Sequence, residues 1–419
     1  MDLQALLKSL QDCPCGREHH TKIKAVEIGE GLVKKAGKIL AENKFPKNIL
    51  VVGDGNSMRV TNGILDVIKE AGFECTTLIY DDMRFARMES VEELESLAKG
   101  HDGILSIGTG SVNDICRLTA YRRGVPLAIF ATAPSMDGFA SDTAPITKNN
   151  YKKSEQAASP WVIMADTNIL AQSPAVLKSA GLGDLLAKYI AMVDWRASTL
   201  LTGEWYCDRV ANITRTAVRK AVALADKVTG NSTETAEAIM EALVLTGIAM
   251  EFTGNSRPAS GSEHIVSHFW EIMKLEKGIW PDFHGKKVGV ATLMVAKIYK
   301  DLAKLPSINP RKANVDWDHV KKVYGNFAGE VTKCNNPPLT DKIDLEFLKN
   351  NWGKVVDIIN EELPDIDELE RIMKISACAT TPEEVNVTPE MVYNALHYSP
   401  YMRNRFTVLR IRDILGIDY

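Results

Sequence analysis

Five short apolar runs, each closing on small or turn-forming residues, alternate with segments of helical period over the first 167 residues. They are KNILVVGD (47–54), ECTTLIYDD (74–82), GILSIGTG (103–110), VPLAIFATAPS (125–135) and WVIMADT (161–167). Apolar runs of this length bounded by turn signals read as strands, and near-continuous hydrophobicity implies burial on both faces. Between them, 56–71, 90–99 and 111–122 space their apolar residues as helices do. This alternation leaves few folds open: it predicts a parallel sheet with helices on both faces. The polar stretch KNNYKKSEQAASP (148–160) interrupts the pattern and reads as a hairpin or surface excursion.

After Pro174 the texture changes. Helical periodicity runs through 175–200, 204–229, 233–252, 262–275, 286–303 and 316–330, and resumes over 344–360, 365–378 and 388–396. The sequence therefore predicts an α/β domain over 1–170 and a mainly α-helical domain over 171–419, with the boundary near 168–175. A chain of 419 residues is long enough for two cores. A net charge of -4 argues against a nucleic-acid partner. No apolar run of membrane-spanning length occurs. The opening segment MDLQALLKSLQDCPCG lacks the basic start and long apolar stretch of a signal peptide. Seven cysteines, an odd number spread along the chain, point to a reducing cytoplasm rather than a disulfide framework. Cys13, Cys15, His19 and His20 offer metal-binding side chains, but their spacing matches no common zinc module. With Pro14 between the cysteines, the expectation there is a structural turn.

The chain has eight histidines, and three of them, His264, His268 and His284, lie close together in sequence. Asp184 stands upstream in GLGDLLAKY. One carboxylate with two or three imidazoles suits a catalytic divalent ion, because three protein ligands leave a position open for a substrate oxygen. His264 and His268 are i, i+4 and share a helix face. Satisfied core histidines are the alternative. Gly108-Thr109-Gly110-Ser111 ends a predicted strand and opens a helix, as a loop approaching a pyrophosphate does, though it lacks the full dinucleotide fingerprint. A tight strand–helix turn would look the same. Asp54, at an earlier strand end, is placed either for a ribose diol, favouring NAD over NADP, or to cap the helix after it. The polar loop TAPSMDGFASD (132–142) also follows a buried strand, on the side where such sheets bind ligands.

GDGNSMR (53–59), GTGSVND (108–114), TAPSMDGFAS (132–141), GLGDLLAKY (181–189), SGSEHIVSH (260–268) and FHG (283–285) occur in this order. Together they resemble the glycerol-1-phosphate dehydrogenases of the iron-containing alcohol dehydrogenase and dehydroquinate synthase superfamily. The resemblance runs over roughly residues 23–300. It implies a Rossmann-like NAD(P)-binding first domain, a helical second domain and an active site in the cleft between them. It makes Asp184, His264 and His284 the metal ligands; that donor set suits zinc, nickel or ferrous iron and does not choose among them. It gives the cofactor to Gly108, Thr109, Gly110, Ser111, Val112 and Asp114, with Thr132, Ser135, Ser141 and Asp54. Substrate would meet Asp137, Asp184 and His268, with His268 or a water it orients passing the proton. Lys188, one turn from Asp184, and Arg257, in the loop before the histidine helix, are candidate contacts for a substrate phosphate. A solvated surface lysine is the plain alternative for Lys188.

The implied reaction is the reversible NAD(P)H-linked reduction of dihydroxyacetone phosphate to sn-glycerol 1-phosphate, by a cytoplasmic homo-oligomer. Its partner would be a small phosphorylated triose. A dehydrogenase of an unphosphorylated polyol is the neighbouring possibility. A lyase of the dehydroquinate-synthase kind fits less well, because enzymes of that family carry a glutamate where this chain has Asp184. A module that only holds cofactor and metal is the non-enzymatic alternative.

Overall fold

In the computed structural model, residues 1–149 and 151–415 are described. Six strands form one parallel sheet: β1 (Ala25–Gly29), β2 (Asn48–Asp54), β3 (Glu74–Tyr80), β4 (Gly103–Gly108), β5 (Leu127–Ala131) and β8 (Val162–Asp166), in the order β1-β8-β5-β4-β2-β3. Strands β6 (Thr143–Lys148) and β7 (Tyr151–Gln156) pair antiparallel as a hairpin. The interrupting polar stretch thus folds as a hairpin, with Asn150 outside the described residues.

Neighbouring positions along one strand enter opposite cores, as a period of two requires. Leu50, Val52, Ile104 and Ile129 pack on one face, and Ile49, Val51, Leu105, Ile107 and Phe130 on the other. All nine are fully buried, and each such side chain contributes about 1.5–3 kcal/mol. The predicted strands and the sheet they build are present. One strand was not foreseen: β1, whose AVEIG is short and mixes polar with apolar positions at the sheet edge.

The chain runs from β2 outward to β3, then returns to place β4 on the other side of β2. This reversal opens a crevice outside the carboxyl ends of β2 and β4, the usual ligand site of such sheets. After β8 the described chain is helical. Its third core is built by the helices Ala175–Leu186, Lys188–Thr202, Thr233–Thr253, Ser262–Glu276 and His284–Ala303 together with the C-terminal helices. No helix among the described residues is long and apolar enough to cross a membrane.

Candidate active site

The helix Ala175–Leu186 sits against two backbones at once because it carries glycine where they meet. A Cβ on Gly181 would lie 1.9 Å from the Pro134 carbonyl oxygen. On the facing helix, a Cβ on Gly285 would lie 1.9 Å from the Ala180 carbonyl oxygen. No side chain fits either gap. Close approach brings Asp184 on one helix to His284, the first residue of the other. The Ser262–Glu276 helix supplies His264 from a third direction. Its start is held by Asp194, whose carboxylate accepts from the Ser262 N–H (2.7 Å) and hydroxyl (3.0 Å).

The potential ligand atoms of Asp184, His264 and His284 lie within 4.8 Å of one another. The neighbouring groups suit an ion there. Glu263, fully buried, lies 2.6 Å from His264 Nδ1, and since a carboxylate accepts, Nδ1 donates to it and Nε2 is the ring atom left to face Asp184. Burial disfavours charge on this ring, but Asp184 and Glu263 hold its pKa up to about 9, so an arriving cation would displace the Nε2 proton. Nε2 stands 3.4 Å from Asp184 Oδ1. His284 Nδ1 is buried with no hydrogen-bonding partner among the described residues. Burial disfavours charge on Asp184, but the Lys188 ammonium and the imidazoles outweigh it and hold its carboxyl below the usual range. A buried carboxylate, an imidazole whose Nε2 is turned toward it and a second imidazole lacking a partner form a donor set that fits a divalent cation. His268 lies outside this set. Its ring centre is 6.1 Å from that of His264 and 5.5 Å from that of His284. Its Nδ1 faces Glu271 Oε2 at 3.5 Å, and burial pulls its pKa down to about 3, so the ring is neutral near pH 7.

These groups line a cavity of about 970 Å³, at the upper end of ordinary small-molecule pockets. Asp137, His264, His268 and His284 form part of its wall, while Asp184 lies fully buried behind it. Across the cavity, the start of the helix Gly110–Arg123 presents Thr109, Gly110, Ser111 and Asp114. Thr132, Ser135 and Ser141 line it too. Gly108 and Val112 lie beneath this surface: a Cβ on Gly108 would meet Val112 at 3.1 Å. Their part is to let the turn sit close, rather than to offer a side chain. Asp54 lines the cavity and also caps the helix Gly55–Val60, accepting from the N–H groups of Asn56 (3.0 Å) and Ser57 (2.9 Å). The capping reading of Asp54 is met, and its place at the cavity wall leaves it available to a ligand.

The two phosphate candidates do not reach the cavity. Lys188 is buried and pairs with Asp137 (2.6 Å) and Asp184 (3.1 Å), so its charge is spent neutralising two carboxylates. Arg257 is buried as well, donating to Glu204 (2.8 Å), the Phe406 carbonyl (2.8 Å) and the Ser198 hydroxyl (3.1 Å). Its role is structural. Arg257→Met is expected to destabilise the fold by about 3 kcal/mol, because it strands a carboxylate and a buried carbonyl. Denaturant unfolding measures this. An unchanged midpoint together with a raised KM for a phosphorylated substrate would return Arg257 to the substrate side.

The cations that do line the cavity near the histidines are Lys152, Lys287 and Arg403. Lys152 is carried in from the β6–β7 hairpin and meets Glu271 Oε1 at 2.9 Å, while Lys287 meets Oε2 at 3.4 Å. Burial pulls the Lys287 ammonium down to about 8 against the pull of Glu271. None of these was singled out from the sequence, nor were Glu263, Glu271 and Ser57. HGKK and SEH do place Lys287 and Glu263 beside candidate ligands, which is the only signal they give.

A crevice at a sheet's reversal point, facing an Asp/His/His cluster on a helical domain, defines a metal-dependent dehydrogenase that uses a dinucleotide. The family model described as iron-containing alcohol dehydrogenase matches residues 27–174. A glycerol-1-phosphate dehydrogenase (NAD(P)+) of Bacillus velezensis is 32% identical, over 93% of this chain and 91% of that one. One from Bacillus licheniformis is 28% identical, over 98% and 94%. The fold is shared with the NADH-dependent butanol dehydrogenase A of Thermotoga maritima, with a TM-score of 0.63 at 13% identity over 96% of this chain and 98% of that one. The chain belongs to the glycerol-1-phosphate dehydrogenase (NAD(P)+) family, within the iron-containing alcohol dehydrogenases.

Proposed function

We propose that this chain reduces dihydroxyacetone phosphate to sn-glycerol 1-phosphate with NAD(P)H, and catalyses the reverse. The observation that carries this reading is the meeting, in one cavity, of the Asp184/His264/His284 cluster, the sheet crevice and three cations. The names of the relatives supply the substrate. Asp184, His264 and His284 would hold one divalent ion; their donor set suits zinc first, with nickel or ferrous iron also compatible. When bound, that ion supplies Lewis-acid polarisation of the substrate carbonyl, and the nicotinamide supplies the hydride.

The chain's own residues do the rest. Glu263 holds the His264 ring with Nε2 forward. Glu271 faces His268 Nδ1 as the acceptor of its N–H, so His268 Nε2 is left to accept a hydrogen bond from the C2 hydroxyl of glycerol 1-phosphate. A ring this hard to protonate would orient that hydroxyl and the water that carries its proton to and from solvent, rather than store the proton itself. Asp137 lines the cavity beside this position and can hold a neighbouring hydroxyl, its own charge balanced by Lys188. The N-terminus of the Gly110–Arg123 helix faces the crevice and suits a pyrophosphate. All seven cysteines are free, which suits the cytoplasm.

Asp54 and Arg59 both line the cavity. A carboxylate favours a ribose diol and a guanidinium tolerates a 2′-phosphate, which supports use of both dinucleotides with NADH preferred. Asp54→Ser keeps a capping oxygen and removes the charge, so it is expected to raise NADPH use relative to NADH about tenfold without unfolding the chain. Steady-state kinetics with each dinucleotide check this; an unchanged ratio removes Asp54 from the ribose.

Lys152 and Lys287 share the single Glu271 carboxylate, leaving positive charge for the phosphate alongside Arg403. Lys287→Met is expected to raise KM for dihydroxyacetone phosphate about 10- to 100-fold, the worth of a charge-assisted hydrogen bond. Turnover of unphosphorylated dihydroxyacetone should hardly move. Equal losses on both substrates would place the phosphate elsewhere.

A further inference from the structure

Outside the lining of the cavity, the N-terminal segment returns to the helical half. Cys13, Cys15 and His19 meet Cys207, a fully buried residue that immediately precedes the helix Asp208–Val222. None of the four lines the cavity. Their ligating atoms all lie within 4.8 Å of one another. Cys13 Sγ is 3.5 Å from Cys207 Sγ, and His19 Nε2 is 3.2 Å from Cys15 Sγ and 3.6 Å from Cys207 Sγ. A sulfur–sulfur separation of 3.5 Å is far beyond a disulfide bond. Tetrahedral zinc bound by thiolates and one imidazole has ligand–ligand edges of about 3.8 Å (S–S) and about 3.6 Å (S–N). These three separations fall within about 0.4 Å of those edges.

The surroundings prepare these side chains as ligands. His19 Nδ1 lies 3.2 Å from the Phe252 carbonyl, which can only accept. Nδ1 therefore carries the proton, and Nε2 points its lone pair at the sulfurs. Asp12 (φ 52°) and Gly16 (φ 77°) adopt left-handed conformations on either side of Cys13-Pro14-Cys15, turning both thiols to the same side. Trp205 Nε1 donates to the Cys15 carbonyl at 2.9 Å, and the Arg17 guanidinium covers the Trp205 ring at 4.0 Å. Arg209 donates to the carbonyls of Ser9 (3.3 Å) and Gln11 (3.0 Å), fixing the approach from the other side.

We propose that Cys13, Cys15, His19 and Cys207 bind a zinc ion in a closed Cys3His site that fastens the N-terminal segment to the helical domain. Each of the three thiols gives its proton to solvent as the ion binds, leaving the site one negative charge, with Arg17 and Arg209 nearby. All four positions are taken by protein, so the site is structural and distinct from the three-ligand cluster in the cavity. It closes a loop between positions 194 residues apart, and its binding energy would add directly to folding. The turn expected at Cys13–Cys15 is present; what the sequence did not reveal is the distant fourth ligand.

Metal analysis of the full chain tests this without reference to turnover. The His264→Ala chain, grown with zinc and purified without chelator, should retain one zinc per chain, and Cys207→Ser in that background should lose it. Grown with cobalt, the His264→Ala chain should show thiolate-to-cobalt charge-transfer bands. The cavity cluster contains no sulfur, so these bands report this site alone, even if Cys207→Ser fails to fold. A His264→Ala chain without zinc and without thiolate bands overturns the proposal. So does a native mass lower by two hydrogens with Cys13 and Cys207 cross-linked.

Discussion

Replacing His264 with alanine is expected to release the ion of the cavity site and to lower turnover by about 10³-fold or more, while the fold survives. The loss corresponds to the several kcal/mol that a Lewis acid contributes to a developing alkoxide. His264 is the natural choice because it is a candidate ligand whose two ring nitrogens both face a carboxylate. Its Nε2 faces Asp184 at 3.4 Å and its Nδ1 is held by Glu263 at 2.6 Å. The rest of the Ser262–Glu276 helix is anchored independently through Asp194, so circular dichroism and the unfolding temperature should stay near those of the parent chain. Metal content should fall by one equivalent. A variant that keeps full metal, or that turns over without it, would remove His264 from the ligand set.

His268→Ala is expected to behave in the opposite way toward metal. The ion should remain at parent stoichiometry, while kcat falls roughly 10²–10⁴-fold, the usual size of a lost proton-transfer or orienting group. Spacing alone makes His264 and His268 a two-ligand pair on one helix face. In the fold, His268 Nδ1 faces Glu271 instead, and its ring centre stands 6.1 Å from that of His264. Four protein ligands would also close the position that a substrate oxygen needs. Metal analysis of this single variant separates the two arrangements: if the ion leaves with the imidazole, His268 is a ligand.

The parts of the fold legible in the sequence are those whose signal is local. β2, β4, β5 and β8 announce themselves because strands buried on both faces are apolar at nearly every position. β1 does not, since five edge residues with a central glutamate carry little pattern. The helix expected over 56–71 breaks at Thr61–Gly63, where the Thr61 hydroxyl returns to the Ser57 carbonyl and Gly63 takes φ 85°. The site shows the same division. Asp184, His264 and His284 were identifiable by residue type and by the motifs that carry the family resemblance. The roles of Lys188 and Arg257 were not, because a sequence shows a charge without showing which carboxylate already holds it. Glu271, Lys152 and Lys287 come from a helix, a hairpin and a second helix, and only folding shows that they share one corner. Cys207 is the extreme case, separated from its partners by most of the first domain.

The most direct test of the proposed function is a single spectrophotometric comparison. NADH oxidation should be followed with dihydroxyacetone phosphate and with dihydroxyacetone, before and after treatment with a chelator. The three-ligand site is open and should lose its ion to the chelator, whereas a closed thiolate site holds on longer. The expected result is a kcat/KM at least about 100-fold higher for the phosphorylated substrate, abolished by the chelator and restored by added zinc or nickel. Equal use of the two substrates, or turnover indifferent to the chelator, would contradict it.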